Sequence, residues 1–315
     1  MPDVYLHARM AMDVAKSRNE PFDRKSLLLG AQYFDPLYYA FVSRHRATLR
    51  KIADQAHNTD TKTLMEALVL HAKENGDIKS KSFLTGIICH YALDIIVHPY
   101  VYHHVGVYNR DDALTDHLRG LHLKFERSMD AALFKHDTGT FPRRIQLLRN
   151  YFPLKKVPRE IRIIVQKAFE KRFHIQNGDK LFQIGVTHMR FILKYFATDR
   201  YGIKRSIYHL IDRIQHKEDF FLEDLSYYRP VQEFDFLNEK HRQWQHPITG
   251  EKSTKSVMDL YKEAVTFASE LLNQIWVEDR LVNEIFADIS LNTGVDCKLG
   301  EAFAFLNVYQ TETTE

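Results

Sequence analysis

Two cysteines, Cys89 and Cys297, are all the chain contains, so no disulfide framework can hold it together, and the pair fits a reducing compartment. Glycine and proline are also scarce, 12 and 9 in 315 residues, and no segment alternates apolar and polar residues convincingly. Sheet architectures therefore have little to build on. The opening MPDVYLHARMAMD lacks the basic start, apolar block and small-residue cleavage site of a secretory leader. The most apolar run, Phe83–Val97, is too short to span a bilayer and carries an ionisable residue near its middle. These absences predict a soluble cytoplasmic protein. Nor does overall charge point to a partner, since the formal net charge is only +3.

What is present is helical pattern and enough apolar residue, 44%, for a sizeable core. The periodicity predicts helices near 4–17, 36–56, 60–75, 82–98, 111–135, 159–174, 179–198, 201–216 and 256–290. Pro99 disfavours helical geometry at His98, so the fourth of these should end or kink there and leave His98 at a solvent-facing mouth. The segment 218–255, with Pro230, Pro247, Gly250, Trp244 and His246, reads as a lid or a connector. Charge is unevenly spread. Residues 142–217 hold 18 Lys+Arg against 5 Asp+Glu, and residues 218–315 hold 8 against 19. Either the basic block attracts anionic substrate or lipid headgroups, or two oppositely charged helical layers dock on each other; the spread over several helices favours the second.

The stretch FLTGIICHYALDIIV contains no Lys, Arg or Glu, yet it carries His90 and Asp94, with His98 next. On a helix these three polar residues form one stripe. A buried carboxylate without a positive partner is costly, so a buried His–Asp–His stripe most economically faces a metal ion. Downstream, His122 and Glu126 lie four apart in LRGLHLKFERSMD, a spacing that a plain side-chain contact also explains. His7, His57 and Asp35 stand alone. A lone histidine is more often a hydrogen-bonded structural residue, and Asp35 before Pro36 could simply start a helix. His45, His71, His103, His104, His117 and the later histidines read as structural.

In order, the segments PDVYLHARMAMD, LLGAQYFDPLYY, QAHNTDT, CHYALDIIVHPYVYHHVG and HLKFERSMD resemble the zinc-dependent phospholipase C family, whose superfamily includes the P1-type nucleases. The resemblance covers roughly residues 1–135; beyond about 140 no motif matches. It implies an all-α, multi-helical single domain of the phospholipase C / P1 nuclease type with additional C-terminal helices. Residues 1–140 would form the metal-site core and residues 141–315 a helical region packed on it. Carried over by position, it implies one zinc held by Asp35, His57, His90 and Asp94, and a second held by His98, His122 and Glu126. Asp94 would bridge to a third, whose other protein ligand is His7. Secreted members complete that third site with a free terminal amine. Here the amine of Pro2, exposed once Met1 is removed, is the expected substitute. Imidazole and carboxylate donors without thiolate independently suit zinc or another borderline divalent metal.

The function so implied is a metal-dependent phosphoric ester hydrolase with two or three zinc ions. They would acidify a bound water and supply hydroxide for in-line attack on phosphorus, with Asp35 orienting or deprotonating that water. The alternatives are a nuclease or small-molecule phosphodiesterase, or a non-catalytic helical scaffold stabilised by its metals. Phospholipid is among the substrates implied, nucleic acid less so, and contact with an anionic membrane surface through the 142–217 block goes with the phospholipid reading. Tyr33, Phe34, Tyr38 and Tyr39 around Asp35 could wall a choline-type cation, although ordinary core packing accounts for them more simply.

Overall fold

The computed structural model describes residues 4–109, 111–142, 145–214, 221–227, 234–299 and 302–309. The helices run in the order α1 (Val4–Ser17), α2 (Arg24–Gly30), α3 (Arg46–Asn58), α4 (Thr61–Asn75), α5 (Ile78–Val105), α6 (Leu121–Thr138), α7 (Leu147–Asn150), α8 (Arg159–Phe173), α9 (Gly178–Ile192), α10 (Ile203–Ile214), α11 (Val257–Trp276) and α12 (Val282–Ile285). Among the described residues the sheet content is a two-stranded antiparallel hairpin, β1 (Trp244–Gln245) and β2 (Lys252–Ser253), so the fold is all-α. Side chains start several helices. Asp23 accepts from the Ser26 amide, Asp77 from the amides of Lys79 and Ser80, and Ser256 with Asp259 forms a reciprocal capping box. Each cap satisfies first-turn amides that have no intrahelical acceptor.

Helix α5 is the axis on which the rest packs: α2, α11, α1, α4, α6 and α8 all lie against it. It is longer than the sequence pattern predicts, 28 residues, and it does not stop at Pro99. Proline has no N–H, so the Ile95 carbonyl four residues earlier loses its helical donor. The loop carrying Gly294 presses onto that carbonyl so closely that a Cβ there would lie 2.5 Å from it. Tertiary packing thus carries the helix through the proline, and His98 sits inside the helix, fully buried, not at a mouth. At this length α5 is apolar enough to cross a bilayer, but 89% of its most apolar window is buried in the protein, as befits a core helix.

Helices α2 and α5 touch backbone to backbone. A Cβ on Gly30 would fall 2.0 Å from the Phe83 carbonyl oxygen, and one on Gly86 would fall 2.2 Å from that of Leu27. Gly86→Ala is therefore expected to lower unfolding free energy by at least ~1–3 kcal/mol, because main chain and not a flexible side chain must move. Urea unfolding measures this; a loss under about 0.5 kcal/mol would mean the helices can part freely.

Several boundaries differ from expectation. The helix expected over 36–56 is a 3-10 turn, Asp35–Leu37, followed by irregular chain and then α3. The aromatic cluster there reads as helix but wraps as turns. The helix expected over 111–135 is divided by Gly120, whose left-handed φ of 74° separates a 3-10 turn from α6. The last expected helix, 256–290, ends at Trp276, and the chain beyond Ile285 returns to the centre as a loop. The short α2 was not among the expected helices. Segments from the second half lie directly on the first: α11 on α5 and α1, α8 on α4, and α9 on the Asp35–Leu37 turn. Within 218–255 the described residues act as a strut. Trp244 is buried edge-on against Tyr100, and His246 Nε2 donates to the Thr293 carbonyl.

Candidate metal centre

Five elements deliver the eight chemically able side chains to one place. His7 comes from α1, whose first turn is gripped by the buried Asp130 of α6 through the amides of Tyr5 and Leu6 at 2.8 and 3.0 Å. Asp35 begins the 3-10 turn, His57 closes α3, His90, Asp94 and His98 line α5, and His122 and Glu126 belong to α6. The donor atoms gather in three sets: His7, His90 and Asp94; Asp35, His57 and His90; His98, His122 and Glu126. Seven of the eight residues are at most 4% exposed; the His122 side chain is 34% exposed.

The contacts are close. His90 Nε2 lies 2.9 Å from Asp94 Oδ2, and His7 Nε2 lies 3.4 Å from Asp94 Oδ1. His57 Nε2 is 3.1 Å from Asp35 Oδ1 and 4.0 Å from Asp94 Oδ2. Glu126 Oε1 stands 2.9 Å from His122 Nε2 and 3.4 Å from His98 Nε2.

Backbone carbonyls fix the orientation of three rings. Nδ1 of His57 lies 2.7 Å from the Ala53 carbonyl oxygen, Nδ1 of His90 lies 3.0 Å from that of Ala31, and Nδ1 of His98 lies 2.7 Å from that of Leu291. A carbonyl only accepts, so each Nδ1 must donate, and Nε2 of the neutral ring is then a bare acceptor. These acceptors face carboxylate oxygens, which are acceptors too. Accordingly Nε2 of His57, His90 and His98, Asp35 Oδ1 and both Asp94 oxygens are buried without a hydrogen bond. Protons could reconcile single pairs, but imidazolium at every ring would crowd positive charges into a dry site. Burial first, and then the neighbouring imidazoles of His122 and His57, hold His98 well below the ordinary imidazole range. At His90, burial pushes the same way, but the charges of Asp94 and Asp35 outweigh it and raise the ring. A divalent cation meets all the acceptors at once. The donor set and the carbonyl-oriented imidazoles fit zinc.

The centre opens into a cleft of about 340 Å³, lined by Asp35, His122 and Glu126 at its base and by Tyr38, Tyr39, Phe41, Arg50, Tyr102 and Tyr108 on its walls. The aromatic cluster around Asp35 therefore divides. Tyr38 and Tyr39 reach the cleft, whereas Tyr33 and Phe34 are fully buried core. Tyr33 adopts φ 44°, stacks on His90 and meets His57 edge-on, with its hydroxyl donating to the Ala56 carbonyl. Of the histidines read as structural, His71 pairs with Glu74 and His103 Nδ1 donates to the Phe305 carbonyl. Pro2, expected to contribute its amine, lies outside the described residues.

Sequence reasoning missed the supports. Leu291 holds the centre from both sides: its carbonyl accepts from His98, and its amide donates 2.7 Å to the His57 carbonyl. Ala31, Ala53 and Asp130 serve similarly. None of the carbonyl anchors has a residue-type signature, since backbone oxygen is common to all residues. Asp130 does: a buried aspartate four residues after Glu126 on the same helix stripe repeats the spacing that marked Asp94.

A family model described as zinc dependent phospholipase C matches residues 6–197. The match extends well past residue 135, where the recognisable motifs stop. No curated protein and no solved structure matches the chain.

Proposed function

This chain belongs to the zinc-dependent phospholipase C family, and we propose that it is a zinc-dependent phosphoric diester hydrolase acting on phospholipid. In this reading Asp35, His57, His90 and Asp94 hold one ion, and His98, His122 and Glu126 a second. Asp94 and His7 take part in a third. When bound, zinc supplies Lewis acidity that polarises phosphoryl oxygens and brings water towards ionisation near neutral pH. The chain's own residues do the rest. Asp35, 4% exposed and at the cleft base, orients the attacking water and takes its proton. Carbonyls of Ala53, Ala31 and Leu291 hold three imidazoles in the tautomer that leaves Nε2 available. The apolar packing behind α5 keeps bulk water from the buried carboxylates, and the tyrosine faces of the cleft suit a cationic head group.

The observation that carries this reading is the confrontation of bare imidazole nitrogens with buried carboxylates at the base of an open cleft. Asp35→Asn tests it. Turnover of a chromogenic phosphodiester, assayed with zinc added to saturation so that His57, His90 and Asp94 still hold the ion, is expected to fall by ~10²–10⁴, and metal analysis under the same conditions reads the occupancy. Unchanged turnover would remove Asp35 from the mechanism. If the parent cleaves oligonucleotide but not dispersed phospholipid, the substrate assignment passes to the nuclease reading. If it cleaves no phosphate ester yet loses stability on chelation, the metals serve a scaffold.

A further inference from the structure

Helix α10 is mounted with its apolar side outward. Ile203, Ile207, Leu210 and Ile214 fall on one stripe at helical spacing, and they are 61, 52, 61 and 74% exposed. The one α10 residue that is buried is an acid, Asp212. Its carboxylate accepts from the amides of Leu222 and Glu223 at 2.9 and 3.0 Å, pinning the polar face of the helix to the turn Leu222–Leu225. An amphipathic helix of a globular protein normally does the reverse. The apolar surface continues beyond α10. Tyr208 stacks on Phe196, which adjoins Phe191, and Phe191 and Tyr195 are themselves about half exposed.

Charge narrows what covers this face. Residues 191–214 carry Lys194, Arg200, Lys204, Arg205 and Arg213. Their two acids, Asp199 and Asp212, are 3 and 8% exposed, so the charge this segment shows to solvent is positive. Lys204 and Arg213 lie to either side of the apolar stripe on the helix. An exposed isoleucine and leucine stripe bordered by Lys and Arg is the pattern of a helix that lies in a lipid interface, with its apolar side in the acyl boundary and its cations at anionic headgroups.

We propose that α10, with the adjoining Phe191–Tyr195 surface, docks this protein on anionic lipid bilayers. The docking face is joined to the cleft: the turn Leu222–Leu225 that α10 grips also packs on α6, and Leu225 lines the cleft. Membrane contact would thus bring the metal centre to its substrate. The docking itself needs no turnover, although its purpose rests on the phospholipid reading.

The test is co-sedimentation of the full chain with vesicles of phosphatidylcholine alone or with 30% phosphatidylglycerol, at low and high salt. Binding is expected only to the anionic vesicles, weakened by salt. Ile207→Asn/Leu210→Asn should reduce it at least ~10-fold, and Arg213→Glu should reduce it at low salt. Hydrolysis of a soluble chromogenic phosphodiester should be unchanged in both, because these residues lie outside the centre. Vesicle binding that the α10 variants do not alter, or no binding at all, overturns the proposal. So does light scattering that shows a dimer which the double variant dissolves, since a second copy would then cover the stripe. Variant-sensitive binding by a protein that cleaves no ester would leave the docking face standing and remove the hydrolase assignment.

Discussion

Asp94→Asn is expected to lose zinc and, with it, catalysis. The parent carboxylate is fully buried, and its ion-pair contacts within 4.0 Å among the described residues are the imidazoles of His7, His57, His90 and His98. Asparagine has nearly the same shape but no charge, so packing survives while the electrostatic reason for a cation goes. Loss of residues that merely support a ligand costs 10–100-fold in metal affinity; loss of this shared carboxylate should exceed about 100-fold. Turnover at fixed zinc should drop by at least ~10³-fold, about 4 kcal/mol of barrier. Metal analysis after dialysis and assay with a chromogenic phosphodiester check both. Full zinc content and parental turnover in the variant would show that the ions are held without this carboxylate.

Chelation of the parent should produce a large fall in thermal stability. Ions present at about 1,000 times their Kd stabilise the folded state by about 4 kcal/mol per site. At roughly 2–4 °C per kcal/mol, removal should lower the Tm by on the order of 10 °C, and added zinc should restore it. The physical cause is the set of acceptors left facing one another at His57–Asp35 and His90–Asp94, whose repulsion only a cation or a proton relieves. Asp94→Asn removes part of that repulsion, so its Tm should respond much less to chelator. A parent whose melting is indifferent to chelator would mean that these groups satisfy each other unaided.

Much of the centre was legible because burial and charge are both visible in a run of residue types. FLTGIICHYALDIIV has no polar purpose for its aspartate except one that a positive partner supplies, and helical spacing aligns His90, Asp94 and His98 whatever the surrounding fold. His7, His57 and Asp35 carried no such local signal. They stood out through their order along the chain and its likeness to a family. The structure shows why local reading was insufficient: each comes from a different element, and their approach depends on α1 and α2 packing on α5 and on α3 packing against α4 and the Asp35–Leu37 turn.

Helix α5 and the stripe it carries were therefore written in the sequence alone, since spacing, apolarity and a lone carboxylate are properties of consecutive residues. The passage of that helix through Pro99, the grip of Leu291 on His57 and His98, and the outward mounting of α10 belong to tertiary structure. They rest on backbone groups that meet only in the fold: Gly294 against the Ile95 carbonyl, the Leu291 amide on the His57 carbonyl, and the Leu222 amide on the Asp212 carboxylate. Backbone amides and carbonyls are common to nearly every residue, so side-chain order cannot announce which of them will meet.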